Sequence, residues 1–114
     1  MRIKTLWVKE KYLQQILSGR KTVEVRVAYK NIDRLQPGDM LLLNEQHRYV
    51  INEIRRYPNF EALVAAEDPI AIAPELPDRE SLLAACRAFY PPGKEALGTV
   101  ALVLRPAGST TAQR

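Results

Sequence analysis

A helical pattern runs into a strand pattern across one glycine near the N-terminus, and that junction constrains the fold more than any other feature. Tyr12, Leu13, Ile16 and Leu17 recur at the spacing of one helix face, which predicts a helix over 9–18. Gly19 stands just beyond, where helices commonly end in a left-handed residue. The stretch that follows, GRKTVEVR, switches to a period of two. Val23, Val25 and Val27 share one face, while Thr22, Glu24 and Arg26 share the other. A helix and a strand are thus joined by a tight turn, and Lys21, Glu24 and Arg26 fall within six residues of one another.

The remaining elements are arranged around this unit. Residues 3–8 are rich in β-formers and predict a strand buried on both faces or lying at a barrel seam. Residues 29–39, with Asn31 and a Pro37-Gly38-Asp39 turn, predict a loop. Met40 to Asn44 is an apolar run fit for a buried strand, Asn44 to His47 a hairpin connection, and 48–56 a strand with Tyr49, Ile51 and Ile54 along one side. Asn59 caps a short helix over 60–66, three prolines mark 67–77 as an ordered loop, and Asp78 caps a helix over 79–90 that Pro91-Pro92-Gly93 stops. The last strand, 98–104, is apolar on nearly every residue, as a central or closing strand is. Hairpins mixed with helical excursions, and no regular βαβ alternation, predict an α+β domain: a small, largely antiparallel barrel or curled mixed sheet decorated by about three helices. One domain over 1–106 and a flexible polar tail over 107–114 follow from the chain length and the AGSTTAQR ending.

Composition narrows the function classes. No apolar run reaches the length of a membrane span, and MRIKTLWVKEK interrupts its apolar residues with lysines, unlike a secretory leader; a cytoplasmic location is expected. Cys86 is the single cysteine, so neither an internal disulfide nor a cysteine metal cluster can form, and its apolar neighbours predict a buried thiol. His47 falls in the hairpin turn and reads as a surface histidine, and Glu67-Asp68 as a solvated acidic pair or an ion site. No metal or cofactor is expected. Charge is uneven: residues 1–56 carry twelve basic against six acidic side chains, and the rest five against seven. A basic half concentrates polyanions near its surface.

The chemistry of GRKTVEVR suits a nucleotide. Lys21 is a compact cation for phosphate, and Arg26 offers a planar fork to two acceptor oxygens. Glu24 can accept from the exocyclic amine of a base, or hold Arg26 in position. Tyr12, Trp7, Tyr29 and Tyr49 are candidate stacking planes, and Lys9, Lys11 and Arg20 candidate outer cations. The same three charges can instead close an internal ion pair that ties the strand to a neighbour.

Gly19, Lys21, Glu24 and Arg26 complete a G-x-K-x-x-E-x-R pattern that resembles the signature of the activating signal cointegrator homology (ASCH) family. The Pro-Gly-Asp turn before an apolar strand, the helix ending in Phe89-Tyr90-Pro91 and the Gly98-x-Val100 strand extend the resemblance over about residues 3–105. It implies a PUA-like β-barrel with a cleft beside the motif, and binding of RNA or a nucleotide-like ligand through Lys21, Glu24 and Arg26, aided by Arg20, Lys9 and Tyr12. Some relatives resemble small hydrolases of acetylated cytidine that use a lysine, a threonine and a glutamate, and others are nucleases. On that alternative Lys21, Glu24 and Glu75 are the catalytic candidates. The lysine matches Lys21, the glutamate falls near Glu75, and the threonine nucleophile falls where this chain has Glu24.

Overall fold

The computed structural model describes residues 1–76 and 78–109. Five strands form one mixed sheet in the order β1-β3-β4-β5-β2. They are β1 (Ile3–Leu6), β2 (Val23–Val27), β3 (Met40–Leu43), β4 (His47–Tyr57) and β5 (Thr99–Pro106). β1 and β3 run parallel, and the other neighbours described are antiparallel. The sheet curls far enough that Arg26, on the edge strand β2, donates from Nη2 to the carbonyl of Trp7 just past the other edge strand, at 2.8 Å. The result is the expected curled mixed sheet, a half-barrel whose seam lies between β1 and β2.

Among the described residues five α-helices decorate it, against the about three expected. α1 (Glu10–Leu17), α3 (Phe60–Ala66) and α5 (Arg79–Ala88) are the expected ones; α2 (Lys30–Asp33) and α4 (Pro69–Ile72) are single turns inside segments read from sequence as loops. One turn has no room for an apolar period, so nothing in the pattern announces it. α4 is nevertheless properly begun: Asp68 accepts from the N–H of Ile70 at 3.0 Å, and Pro69 supplies a fixed φ at the first helical position. Asn59 and Asp78 cap α3 and α5 as expected, accepting from Ala62 and Ser81, each at 2.8 Å.

Both faces of the sheet are covered. On one, Leu41, Leu43, Tyr49, Ile51, Val100, Leu102 and Leu104 pack against Leu13 and Ile16 of α1 and Ile32 of α2. On the other, Val23, Val27 and Ala101 pack against α3, α4 and α5 through Phe60, Leu63, Ile72, Leu82 and Cys86. β5 contributes to both, which explains its unbroken apolar run. In β4 a bulge between Ile51 and Glu53 shifts the alternation by one residue. That shift returns Ile54 to the face of Tyr49 and Ile51. Of the two readings of β1 the seam is the one observed: β1 is an edge strand there, and with Ile3 exposed it is not buried on both faces. The tail opens with a 3-10 turn, Ala107–Ser109, and the rest of the expected flexible tail lies outside the described residues.

Candidate functional site

The unit of helix, glycine and strand positions the site. Gly19 has φ +84°, a left-handed conformation that a β-carbon would strain, and it reverses the chain from α1 toward β2. The N–H groups of Arg20 and Lys21 both donate to the carbonyl of Gln15 at 3.0 Å, so the turn is tied to the last part of α1. Lys21 is thereby directed inward, and it is 5% exposed.

Lys21, Glu24 and Arg26 meet in one cluster. The Nζ of Lys21 lies 3.2 Å from Glu24 Oε1, and Arg26 donates from Nε to Glu24 Oε2 at 2.8 Å. Lys21 also donates to the carbonyls of Val23 at 2.7 Å and Ile72 at 2.8 Å. An ammonium has three donors, so those of Lys21 are all engaged. Lys21, although it lines the cleft, spends these donors inside the protein and links β2 to the end of α4. The internal ion pair of the sequence alternative is therefore present. Burial works against ionisation of Glu24, but the charges of Lys21 and Arg26 outweigh it and hold the carboxyl below the usual range. Arg26 is different. After Glu24 and Trp7 are served, Nη1 and part of Nη2 still have donors to give, and its side chain is 22% exposed.

A cleft of about 330 Å³ borders the cluster, at the lower end of the size range of small-molecule pockets. Its lining comes from Trp7, Lys9 and Tyr12 before and within α1, from Lys21, Glu24, Val25 and Arg26 at and around β2, and from Ile72, Leu82, Cys86, Phe89 and Tyr90. Trp7 and Phe89 are large aromatic residues left more than half and half exposed, respectively, and both border this cleft. Tyr12 meets Phe89 edge to face at 6.1 Å between ring centres, and the Nζ of Lys9 lies 5.0 Å from the Phe89 ring. Burial pushes the Cys86 thiol up to about 11 and raises Tyr90.

The structure separates the other candidates. Lys9 and Tyr12 border the cleft. Arg20 does not; it is exposed, and its Nε donates to Ser18 Oγ at 3.3 Å. Glu75 is also off the cleft lining: it accepts from Gln15 Nε2 at 2.8 Å and pairs with Lys11 at 3.4 Å, so it does not join Lys21 and Glu24. Glu67 is no ion site, because Arg55 clasps it with two bonds of 2.7 and 2.8 Å and Tyr57 donates its hydroxyl. Among the described residues no three His, Cys, Asp or Glu side chains converge as metal ligands. Tyr49 is buried in the core under α1, its hydroxyl directed at the Ile16 carbonyl, and is no stacking plane. Phe89 and Tyr90 enter the sequence reading only as the end of the helix before Pro91, not as cleft residues. The signal available was the aromatic pair just past α5, immediately before two prolines.

The ASCH domain model matches residues 6–106. The chain belongs to the ASCH domain family. No curated protein matches its sequence. Among solved structures, the crystal structure of hypothetical protein PH0355 superposes on this ASCH domain with a TM-score of 0.86 at 24% identity, covering 93% of this chain and 99% of that one. The solution structure of Protein PF0455 from Pyrococcus furiosus does so with a TM-score of 0.77 at 24% identity, covering 94% and 98%. At that identity the likeness establishes the fold. No helix among the described residues is long and apolar enough to cross a membrane.

Proposed function

We propose that this ASCH domain, taken as one unit over 1–106, binds RNA or a nucleotide-like ligand in the cleft between α1, β2 and α5. The observation that carries the reading is Arg26: a guanidinium held rigid by Glu24 and Trp7, with N–H groups left over beside exposed aromatic rings. A planar base suits walls made of Trp7, Tyr12 and Phe89, and phosphate oxygens suit Arg26 with Lys9 at the rim. Lys21 serves by fixing Glu24, which in turn aims Arg26.

The hydrolase alternative draws less support. A general acid or base needs a proton to move near neutral pH. Lys21 has its donors committed, Glu24 is held ionised by two cations, and Glu75 is bonded to Gln15 and Lys11 away from the cleft.

The test is titration of the full chain with a fluorescent single-stranded RNA decamer and with the four nucleoside 5′-monophosphates, each at low and at physiological salt. Saturable binding that weakens with salt is expected, as counterion release requires. Absence of binding to every one of these probes overturns the proposal.

A further inference from the structure

The cleft lies along the free edge of β2, and the backbone there has a vacancy one residue long. In the antiparallel pair of β2 with β5, Ala28 N–H donates to Gly98 C=O at 2.8 Å and Leu104 N–H to Thr22 C=O at 2.9 Å. With Val25 opposite Ala101, this register makes 22, 24, 26 and 28 the residues bonded to β5. Val23, Val25 and Val27 direct their N–H and C=O away from it.

Two of these three are capped from within. The C=O of Val23 accepts from Lys21 Nζ at 2.7 Å, and the N–H of Val27 donates to the hydroxyl of Tyr90 at 3.2 Å. Between them, Val25 borders the cleft, and no described residue bonds its N–H or C=O. A strand edge with a donor and an acceptor side by side is the surface that β-augmenting peptides use. Here the caps of Lys21 and Tyr90, with Tyr29 N–H on the Val27 C=O at 2.8 Å, leave Val25 as the residue with both groups open, too short for an extended peptide and sufficient for a single planar group.

We propose that Val25 reads the base of the bound ligand: its N–H donates to a ring acceptor and its C=O accepts from the neighbouring N–H of a nucleobase. The base would lie along Val25 beside the rings of Trp7, Tyr12 and Phe89, with Arg26 left to the phosphate. Recognition by main chain needs no polar side chain, so motif reading does not reveal it. This inference rests on the cleft being a nucleotide site, and the experiment separates the two claims.

The experiment is a set of 1H–15N spectra of the full chain with each nucleoside 5′-monophosphate, with ribose 5-phosphate, and with an extended Val-Thr pentapeptide. Nucleotides are expected to move the Val25 amide proton downfield and slow its exchange, whereas ribose 5-phosphate moves the Arg26 Nε–H alone. Val25→Pro removes an N–H that is outside the sheet ladder, so the edge strand should tolerate it. It should weaken nucleotide binding about tenfold and leave ribose 5-phosphate binding unchanged, with Val25→Ala within about threefold of wild type. Nucleotides that move Arg26 and leave the Val25 amide in place overturn this inference while the nucleotide site stands. Silence of both residues with every nucleotide overturns both. A Val25 amide moved by the pentapeptide and not by nucleotides also overturns it, making the edge a peptide site.

Discussion

Glu24 Oε2 lies 2.8 Å from Arg26 Nε, two residues along one strand, while Glu24 Oε1 lies 3.2 Å from Lys21 Nζ. One carboxylate therefore divides its oxygens between a cation that faces inward and a cation that faces the cleft. The motif works as a relay of position: Gly19 turns Lys21 inward, Lys21 fixes Glu24, and Glu24 fixes Arg26.

The two cations should accordingly differ on substitution. Lys21→Ala strands the Val23 and Ile72 carbonyls and leaves Glu24 with one partner, at a cost of about 3–5 kcal/mol. Arg26→Ala should cost about 1 kcal/mol, since its side chain is partly exposed and Lys21 continues to neutralise Glu24. Urea midpoints of the two variants measure this difference; equal values would contradict the assigned roles.

Acid should destabilise the protein. Burial disfavours the charged form of Glu24 and Asp39, yet Lys21 and Arg26 in the first case, and the backbone N–H groups of Arg2 and Gln36 in the second, hold both below the usual carboxylate range. Arg55 does the same for Glu67. A depressed folded value gives stability that is fully present above the unfolded value and is lost as pH falls through the folded one. Stability should thus hold near neutrality and decline below about pH 5. Urea unfolding between pH 7 and 3 should show this, with a shallower decline in Glu24→Gln; a flat profile would contradict it.

Much of this could be read in the chain before the structure. The junction at Gly19, the valine alternation of β2, the Asn59 and Asp78 caps and the central β5 all rest on local patterns that packing then obeyed. The convergence of Lys21, Glu24 and Arg26 was legible because the three lie on one turn and one strand. What was not legible depends on distant partners. The saturation of Lys21 needs the Ile72 carbonyl, fifty-one residues away and in an unannounced turn of helix. The separation of Glu75 from the cluster needs Gln15, sixty residues away.

Cys86 should be nearly inert in the folded protein. Cys86 is 7% exposed and burial pushes its thiol up to about 11, so little thiolate is present near neutral pH. Alkylation by iodoacetamide at pH 8 should be slow until urea unfolds the chain. Because Cys86 borders the cleft, a saturating nucleotide should slow it further; fast native labelling would contradict the packing described.

Asn44 should control the order of the cleft rim. It takes φ +51° in the β3–β4 turn, and its side chain accepts from Val8 N–H at 2.8 Å and donates to Val8 C=O at 3.0 Å. Those bonds hold the loop carrying Trp7, the single tryptophan and the residue whose carbonyl meets Arg26. Asn44→Ala should raise acrylamide quenching of Trp7 fluorescence and lower its anisotropy, whereas Asn44→Asp, which keeps the bond from Val8 N–H, should fall between. Unchanged Trp7 mobility in Asn44→Ala would contradict this.

The most direct measurement is the Arg26 Nε–H resonance in the full-length protein as a nucleoside 5′-monophosphate is added. It should move saturably, in step with the Trp7 indole N–H, and both movements should shrink at higher salt. A nucleotide that binds while leaving Arg26 and Trp7 where they are would contradict the placement of the site.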